Sequence, residues 1–184
     1  MSQGDTGQRV DATAESGRLT PSLFRSAMAA FPSGVTIVTT TDTGGRWRGF
    51  TATSFCSVST DPQLVLVCLA ESAECHPAFA SARRWLVHVI RPEHAELAVR
   101  FATRGADKFQ GPGFWPDEHG LPFLEGAAVT LACSEHAKLP GGDHTMLLGR
   151  VERIHLSNRN PVVYYKRDFH RLRRDDDLSQ STTS

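Results

Sequence analysis

The sequence has no long hydrophobic run and no excess of charge of either sign. Its longest apolar stretch, residues 64–70, is far shorter than the roughly 20 residues that a membrane-spanning helix needs. The 20 basic and 20 acidic side chains give a formal net charge of zero, so no overall field attracts nucleic acid or anionic lipid. No basic segment followed by an apolar one opens the chain, as a secretory signal would require. These absences predict a cytoplasmic protein that binds neither membranes nor nucleic acid.

Several motifs that would identify an active site are also missing. The four cysteines, Cys56, Cys68, Cys75 and Cys133, form no C-x-x-C pair. Cys75 is followed directly by His76, which is a poor geometry for two ligands of one metal, so we expect reduced thiols and no metal site. No G-x-G-x-x-G follows a predicted strand, so a nucleotide is not held in the Rossmann manner. No Ser-His-Asp order or carboxylate pair indicates hydrolytic chemistry.

The length of 184 residues suits one domain, because two domains of half that size would each bury little apolar surface. Residues 1–18 are polar, rich in small side chains and without apolar periodicity. We therefore predict a flexible leader over residues 1–19 and a folded domain over residues 20–172. The acidic run that includes Asp175 predicts a disordered tail over residues 173–184.

Helices are expected to be few and short. Thr20-Pro21 has the pattern of an N-cap followed by proline at the first helical position. Pro32 and Gly34 would end that helix, since both residues break helical geometry. Further short helices are expected over residues 76–83 and from residue 92 onward.

Runs rich in β-branched and apolar side chains predict strands, because such side chains fit a pleated surface. The predicted strands are residues 35–41, 46–55, 63–70, 85–91, 127–139, 144–156 and 162–167. Glycine and proline place a hairpin turn at residues 140–143 and a long loop at residues 105–122. Because the strands come in hairpin-connected runs, the sequence predicts a mainly β domain, either an antiparallel barrel or a strongly coiled sheet.

The second predicted strand contains a run of small hydroxyl residues after Gly49. Thr51, Thr53 and Ser54 offer hydroxyls and backbone groups of the kind that bind a flat, polar-edged heterocycle or a phosphate. The alternative is that these side chains simply fill an exposed strand face. The residues by themselves leave both interpretations open.

Three other segments could bind a ligand. Gly141-Gly142-Asp143-His144 lies at a hairpin tip, where glycine allows close backbone approach and His144 could present its ring, or could merely be exposed. Arg100, on the helix expected from residue 92 onward, could reach a phosphate with a forked pair of donors, or could be solvated. Tyr164-Tyr165-Lys166-Arg167 could stack on and pair with a dinucleotide, although an edge strand with a snorkelling lysine explains it equally well.

Taken in order, these segments resemble a known family. The matching segments are Phe24-Arg25-Ser26-Ala27-Met28, Phe31-Pro32-Ser33-Gly34-Val35-Thr36, Gly49-Phe50-Thr51, Ser54-Phe55, Ser57-Val58-Ser59, Asp61-Pro62, Lys108-Phe109-Gln110-Gly111, Leu121-Pro122 and Gly142-Asp143-His144. Their succession resembles the flavin reductase domain family, the short-chain NAD(P)H:flavin oxidoreductases that form the reductase components of two-component flavin monooxygenases. The resemblance covers roughly residues 23–169.

The resemblance implies a split β-barrel, a Greek-key antiparallel barrel with a few short helices that binds FMN or FAD, usually as a homodimer. It implies flavin contacts at Trp47, Arg48, Gly49, Phe50, Thr51, Thr53, Ser54, Cys68, Leu69, Ala70, Cys75 and, at the phosphate end, Arg100. NADH or NADPH would contact Gly142, Asp143, Thr145, Tyr164, Tyr165, Lys166 and Arg167. His144 is the expected catalytic residue, as the group that positions the nicotinamide ring.

One segment departs from the family pattern. Where these reductases usually carry Ser-Arg-Thr or Ser-Arg-Ser, this chain has Ala73-Glu74-Cys75. A solvated carboxylate near a flavin phosphate would repel it by about 1 kcal/mol. This departure is consistent with a loosely bound flavin that acts as a diffusible substrate, with a Glu74 that turns outward, or with a different function.

The expected activity is NAD(P)H-dependent reduction of FMN or FAD, with the reduced flavin supplied to a separate monooxygenase component. Two alternatives stay open on the sequence. The first is a flavin-dependent oxygenase or tailoring enzyme on the same fold that acts on an organic substrate. The second is a non-enzymatic split-barrel protein that binds flavin or haem.

Overall fold

The structure, a computed structural model, describes residue 13 and residues 17–172. The predicted tail and most of the predicted leader lie outside these residues, so the domain boundaries at residues 20 and 172 stay a prediction. The described helices are α1 (Pro21–Ala29), α2 (His76–Ser81) and α3 (Ala95–Ala102), with a 3₁₀ turn at Pro92–His94 before α3. None of these helices is long and apolar enough to cross a bilayer.

Strands make up just under half of the described chain, far more of it than the helices do. They are β1 (Ser33–Gly34), β2 (Thr36–Thr41), β3 (Trp47–Ala52), β4 (Cys56–Thr60), β5 (Gln63–Ala70), β6 (Arg84–Val89), β7 (Phe114–Pro116), β8 (Pro122–Leu124), β9 (Val129–Gly141), β10 (His144–Leu156), β11 (Val162–Tyr165) and β12 (Asp168–Arg171). The mainly β class predicted from the sequence is confirmed.

The main sheet closes on itself as a split barrel. Its seven strands pair in the order β3-β2-β6-β9-β10-β5-β4, and every pair is antiparallel. β3 and β4 are the edges of this order, yet only residues 53–55 separate them in the chain. Ser54 joins the two sides, because its Oγ accepts from the Cys68 N–H at 3.0 Å and donates to the Cys68 carbonyl at 3.4 Å. The expected split barrel is therefore confirmed.

The barrel interior is filled by large apolar side chains from several strands and from α2. Trp85 and Phe79 are completely buried there. Gly149 on β10 makes room for the indole, since a Cβ at that position would lie 2.9 Å from Trp85 Cζ2. A second apolar cluster packs α3 and the β7–β8 hairpin against the outside of the sheet, with Phe101, Phe114 and neighbouring side chains at its centre.

Local patterns located several elements well. Thr20 Oγ1 accepts from the Leu23 N–H at 3.2 Å and Pro21 opens α1, as the capping pattern predicts. The predicted strand at residues 63–70 coincides with β5, and residues 140–143 contain the turn between β9 and β10.

Four predicted elements differ from the structure. The strand expected over residues 46–55 ends at Ala52, because residues 53–55 leave the sheet to cross the barrel and β4 starts a new strand. The long loop over residues 105–122 contains β7, which pairs with β8. The helix expected from Pro92 is a 3₁₀ turn before α3 begins. These differences depend on pairing between distant segments, which local patterns do not report.

The last predicted strand, residues 162–167, also ends early. Lys166 and Arg167 have φ angles of 49° and 68°, a left-handed conformation that suits a tight hairpin turn. The chain therefore reverses after Tyr165, and β12 pairs with β11 in a small sheet that also includes β1. Charged residues are also common in edge strands, so Lys166 and Arg167 gave no sign of a turn in the sequence.

Candidate functional site

A cavity of about 360 Å³ opens at one end of the barrel. It lies between the edge strand β3, the end of β5, the turn that leads to α2, and the loop after α3. Its lining residues are Gly49, Phe50, Thr51, Cys68, Leu69, Ala70, Ser72, Ala73, Glu74, Cys75, Phe101, Ala102, Thr103, Arg104, Lys108 and His144. A cavity of this size, with apolar walls and a few convergent polar groups, is typical of small-molecule sites.

The wall formed by β3 and α3 is tightly packed. A Cβ at Gly49 would lie 2.6 Å from Phe101 Cε1 and 2.9 Å from the Val38 carbonyl oxygen, so only glycine allows this approach. Thr51 Oγ1 donates to the Ala98 carbonyl of α3 at 2.6 Å. The Thr51 hydroxyl therefore holds α3 against β3, and this wall is rigid.

The hairpin tip between β9 and β10 brings a histidine to the cavity. His144 lines the cavity, and its Nδ1 lies 2.7 Å from Asp143 Oδ1. The hydrogen bond from His144 lowers the pKa of the Asp143 carboxyl below its usual value. Asp143 Oδ1 can accept from Nδ1–H, which leaves Nε2 on the opposite side of the ring for a hydrogen bond to a ligand.

The same hairpin is tied to α2. Thr145 Oγ1 lies 2.9 Å from Nε2 of His76, the first residue of α2. This contact joins the residue next to His144 to the turn that carries Glu74 and Cys75. The two sides of the cavity mouth are therefore coupled by a half-buried hydrogen bond.

Cations and one carboxylate surround the mouth of the cavity. Lys108 Nζ donates to the Thr103 carbonyl at 2.7 Å. Glu74 Oε2 accepts from the Gly105 N–H at 3.0 Å, and Glu74 Oε1 lies 3.7 Å from Arg104 Nε. Glu74 therefore lines the cavity and contacts the loop after α3.

Cys75 is a neutral thiol at ordinary pH. Burial raises its pKa to about 11, while the positive charges of Lys108 and Arg48 oppose this rise and Glu74 adds to it. A thiol with this pKa is neither a nucleophile nor a metal ligand near neutral pH. Cys75 is thus a small, mostly apolar part of the cavity wall.

Two smaller cavities adjoin the first and share Glu74 with it. One of about 210 Å³ is lined by Trp47, Arg48 and Lys108 among others, and one of about 270 Å³ by Arg46 and Arg48 among others. Arg48 NH2 lies 3.0 Å from Asp42 Oδ2, so its charge is already paired. The Trp47 indole donates to the Gly120 carbonyl at 3.2 Å.

The structure brings together part of the predicted site. The large cavity is lined by Gly49, Phe50, Thr51, Cys68, Leu69, Ala70, Cys75 and His144. Trp47 and Arg48 line the adjoining cavity, and Gly142, Asp143 and Thr145 flank His144 at the hairpin tip. The Ser54 hydroxyl is bonded to the Cys68 backbone, and Thr53 is next to it in the β3–β4 connection. Their ligand-binding roles stay predictions.

The other predicted residues, Arg100 and residues 164–167, do not line the large cavity of this chain. Arg100 does not line the large cavity, and its NH1 donates to the Gln110 carbonyl at 2.8 Å. Tyr164 pairs with Ser33 of β1 and packs on Phe169, and Tyr165, Lys166 and Arg167 follow in the β11–β12 hairpin. Residues 164–167 line none of the three adjoining cavities.

Sequence reasoning did not assign several residues that line the cavity. Ser72, Phe101, Thr103, Arg104 and Lys108 were missed. The available signal was the basic, glycine-containing stretch directly after α3, which includes the Lys108-Phe109-Gln110-Gly111 segment of the family resemblance. Its closeness to β5 is a tertiary contact that has no local sequence signature.

Known proteins share both the sequence and the fold. Residues 28–173 match the flavin reductase like domain family. An NADH:riboflavin 5'-phosphate oxidoreductase of Streptomyces pristinaespiralis is 42% identical over 154 residues, 82% of this chain and 87% of that protein. A protein named actinorhodin polyketide dimerase of Streptomyces coelicolor is 45% identical over 148 residues, 80% of this chain and 84% of that protein.

Solved structures agree with this relationship. An NADH:FAD oxidoreductase of Streptomyces globisporus, in complex with NAD and FAD fragments, superposes with a TM-score of 0.77 at 33% sequence identity. That superposition covers 83% of this chain and 92% of the other. The matched range, the identities and the shared barrel lead to one conclusion: this chain belongs to the flavin reductase like domain family.

Proposed function

We propose that this protein catalyses the NAD(P)H-dependent reduction of FMN or FAD and supplies the reduced flavin to a separate monooxygenase component. The observation that carries the proposal is the cavity itself. The chain belongs to the flavin reductase like domain family. Its cavity has walls from β3 and β5, basic side chains at the mouth, and His144 from the tip of the β9–β10 hairpin. Relatives named as NADH-dependent flavin reductases support the same activity.

The residues of the cavity suit a flavin. Phe50, Leu69 and Phe101 form apolar walls of the kind that hold a flat ring system, and the edge strand β3 has one side of its backbone outside the main sheet. Lys108 and Arg104 at the mouth suit the phosphate of FMN or the pyrophosphate of FAD. The adjoining cavities offer space for the remaining part of a larger flavin.

Bound flavin would supply the redox chemistry, as an acceptor of hydride from reduced nicotinamide. The task of the protein is to orient the two rings and to keep water away from them. The rigid wall of Gly49, Thr51 and Phe101 serves this orientation. His144, oriented by Asp143, is positioned to hold the nicotinamide at the open side of the cavity.

The test follows NADH and NADPH oxidation by the purified protein with FMN, FAD, riboflavin or no flavin. The proposal predicts oxidation that requires added flavin and saturates with it. The variant His144→Ala should lower kcat/KM for the nicotinamide by about tenfold or more, with flavin affinity unchanged. Flavin binding with no oxidation of either nicotinamide would overturn the assignment, and an equal loss of both affinities would overturn the role of His144.

A second candidate is a tailoring enzyme that acts on an organic substrate with bound flavin. It is favoured by the relative named as a polyketide dimerase, at 45% identity. The same assay separates the candidates, because this alternative predicts tight flavin binding together with slow turnover of free flavin. Rapid, saturable reduction of added flavin would exclude it as the main activity.

We also propose that the protein is a homodimer and acts in the cytoplasm, where NAD(P)H is available. α1 has no buried residue in a single chain, and Phe24, Met28 and Phe31 form an exposed apolar stripe on and just after it. A nine-residue helix is not stable without packing, so a second copy is the expected cover. The Lys166 N–H donates to the Ala29 carbonyl at 2.7 Å, so the β11–β12 hairpin lies beside this stripe.

This arrangement bears on the predicted nicotinamide contacts. Residues 164–167 lie beside α1 and line no part of the cavity of their own chain. A role for these residues in nicotinamide binding therefore depends on the second subunit, whose cavity they would have to approach. Loss of the dimer should then affect nicotinamide use more than flavin binding.

A further inference from the structure

The carboxylate of Glu74 occupies a place at the cavity mouth that is built for an anion. Its Oε2 accepts from the Gly105 backbone N–H at 3.0 Å, and its Oε1 lies 3.7 Å from Arg104 Nε. Lys108 lines the same two cavities as Glu74. A backbone N–H, a guanidinium and an ammonium together are the donors that proteins use to bind phosphate.

Glu74 is held there weakly. Its side chain is 46% exposed and that of Arg104 is 80% exposed, and ion pairs between solvated groups contribute little to stability. The Lys108 ammonium donates to the Thr103 carbonyl at 2.7 Å, and its two other N–H donors are available because an ammonium has three. Arg48, by contrast, is already paired with Asp42. Of the basic side chains at the mouth, Lys108 can therefore bind an incoming anion directly, and Arg104 can do so once Glu74 is displaced.

We propose that Glu74 is an internal competitor for the flavin phosphate. In the free protein its carboxylate occupies the Gly105 N–H and the Arg104 guanidinium, and a phosphorylated flavin must displace it to use these donors. The inference rests on the proposed function, since it assumes that flavin binds in this cavity. It makes Glu74 the residue that keeps phosphorylated flavins exchangeable, as a diffusible substrate requires.

The central experiment measures flavin affinity without NADH, by quenching of flavin fluorescence on titration with protein. The probes are FMN, which carries the phosphate, and riboflavin, which does not. Glu74→Gln keeps an oxygen that can accept from the Gly105 N–H but removes the charge. We expect its Kd for FMN to fall about fivefold, with the Kd for riboflavin unchanged.

The matched control is Glu96→Gln, which removes the same charge from an exposed position on α3 that lines none of the three cavities. It should leave both Kd values unchanged. Lys108→Met should raise the Kd for FMN about fivefold and not that for riboflavin. High salt should reduce the difference between wild type and Glu74→Gln, because screening weakens solvated charges. Equal melting temperatures would show that the variants are folded.

Three results would overturn the inference: an unchanged FMN affinity in Glu74→Gln, a riboflavin affinity that changes by the same factor as the FMN affinity, or a fall in FMN affinity. The last result would mean that Glu74 shapes the loop for flavin. Each is distinguishable from failure of the proposed function. That failure appears in the wild-type protein as an absence of flavin-dependent NADH oxidation with any flavin, riboflavin included.

Discussion

At the scale of single residues, Gly49 has the strictest requirement in the cavity wall. The space that a side chain would need is already taken by Phe101 Cε1 at 2.6 Å and by the Val38 carbonyl oxygen at 2.9 Å, both measured from an ideal Cβ. The sequence places this glycine before a run of hydroxyl residues, which pointed to a ligand site. The structure adds that the glycine is needed by the packing of α3 on β3.

We therefore expect Gly49→Ala to destabilise the protein by about 1–3 kcal/mol, because either Phe101 or the β2–β3 pairing must shift. Urea unfolding measures this loss, and flavin titration should show weaker binding at the same time. Gly34→Ala is the control, since a Cβ there meets nothing within 4 Å. Equal stability of the two variants would contradict the steric argument.

His88 is a second residue with a strict environment, and this environment sets its protonation state. It is completely buried on β6, with its Nδ1 3.0 Å from Thr130 Oγ1 and its Nε2 3.1 Å from both Thr39 Oγ1 and the Pro122 carbonyl. Burial lowers its pKa from 6.5 to about 3. The folded protein therefore keeps this ring neutral, and the ring ties β8 to the barrel wall.

The lowered pKa of His88 predicts that the folded protein loses stability as the pH falls. Because the unfolded chain protonates His88 near pH 6.5 and the folded chain only near pH 3, stability is unaffected above pH 6.5 and falls between these values. The loss should be about 2 kcal/mol between pH 7 and pH 5. Urea unfolding at both pH values measures it, with His88→Gln as a reference that lacks this contribution. An identical pH dependence of wild type and His88→Gln would contradict the prediction.

At the scale of elements, the barrel is closed by one side chain between β3 and β5. Ser54 makes two hydrogen bonds to the Cys68 backbone, at 3.0 and 3.4 Å, across the split between these strands. Cys68 lies in the cavity wall, so closure of the barrel and the shape of the site depend on the same contact. The family resemblance implies a flavin contact at Ser54, and the Ser54 hydroxyl is engaged within the protein.

Ser54→Ala should cost about 1–2 kcal/mol in the free energy of unfolding, because the Cys68 N–H and carbonyl lose a partner. Faster amide hydrogen exchange is expected at Cys68 and little change at Leu86 in the centre of the sheet. Ser57→Ala on β4 is the comparison, since it alters a similar exposed serine outside the closure. Unchanged exchange at Cys68 would show that Ser54 does not close the barrel.

At the scale of the whole molecule, the apolar stripe of Phe24, Met28 and Phe31 is left uncovered by a single chain. The exposed fractions of these side chains are 55%, 54% and 70%. The stripe adjoins the β11–β12 hairpin. Residues 164–167 of this hairpin, predicted to contact the nicotinamide, do not line the flavin cavity or the two cavities that adjoin it in the described part of the chain. The proposed homodimer through this face would account for both observations.

We expect Phe24→Ser combined with Phe31→Ser to convert a dimer into a monomer, as measured by light scattering after gel filtration. The cavity walls come from one chain, so the Kd for flavin should stay close to that of wild type, while kcat/KM for NADH falls about tenfold. Val99→Ser, which changes an equally exposed side chain on α3, should stay dimeric. A wild-type protein that is monomeric would contradict the proposal directly.

The sequence by itself determined the local features of this protein. Thr20-Pro21 caps α1, β-branched residues form β2, an apolar run forms β5, and glycines place the β9–β10 turn, since each depends on interactions within a few residues. The ordered motifs also identified the family. Turns and strands that depend on a distant partner, such as β7, β12 and the break after Ala52, were not predicted.

Only the tertiary structure decided which side chains meet. It brought Lys108 and Arg104 to the mouth of the cavity, paired Glu74 with Gly105, and placed Tyr164 beside β1, outside the cavity that His144 lines. These distances follow from the closure of the barrel and the packing of α3, which join residues 30 or more positions apart in the chain. Such contacts leave no periodic or local signal, because their energy comes from surfaces that form only when the chain is folded.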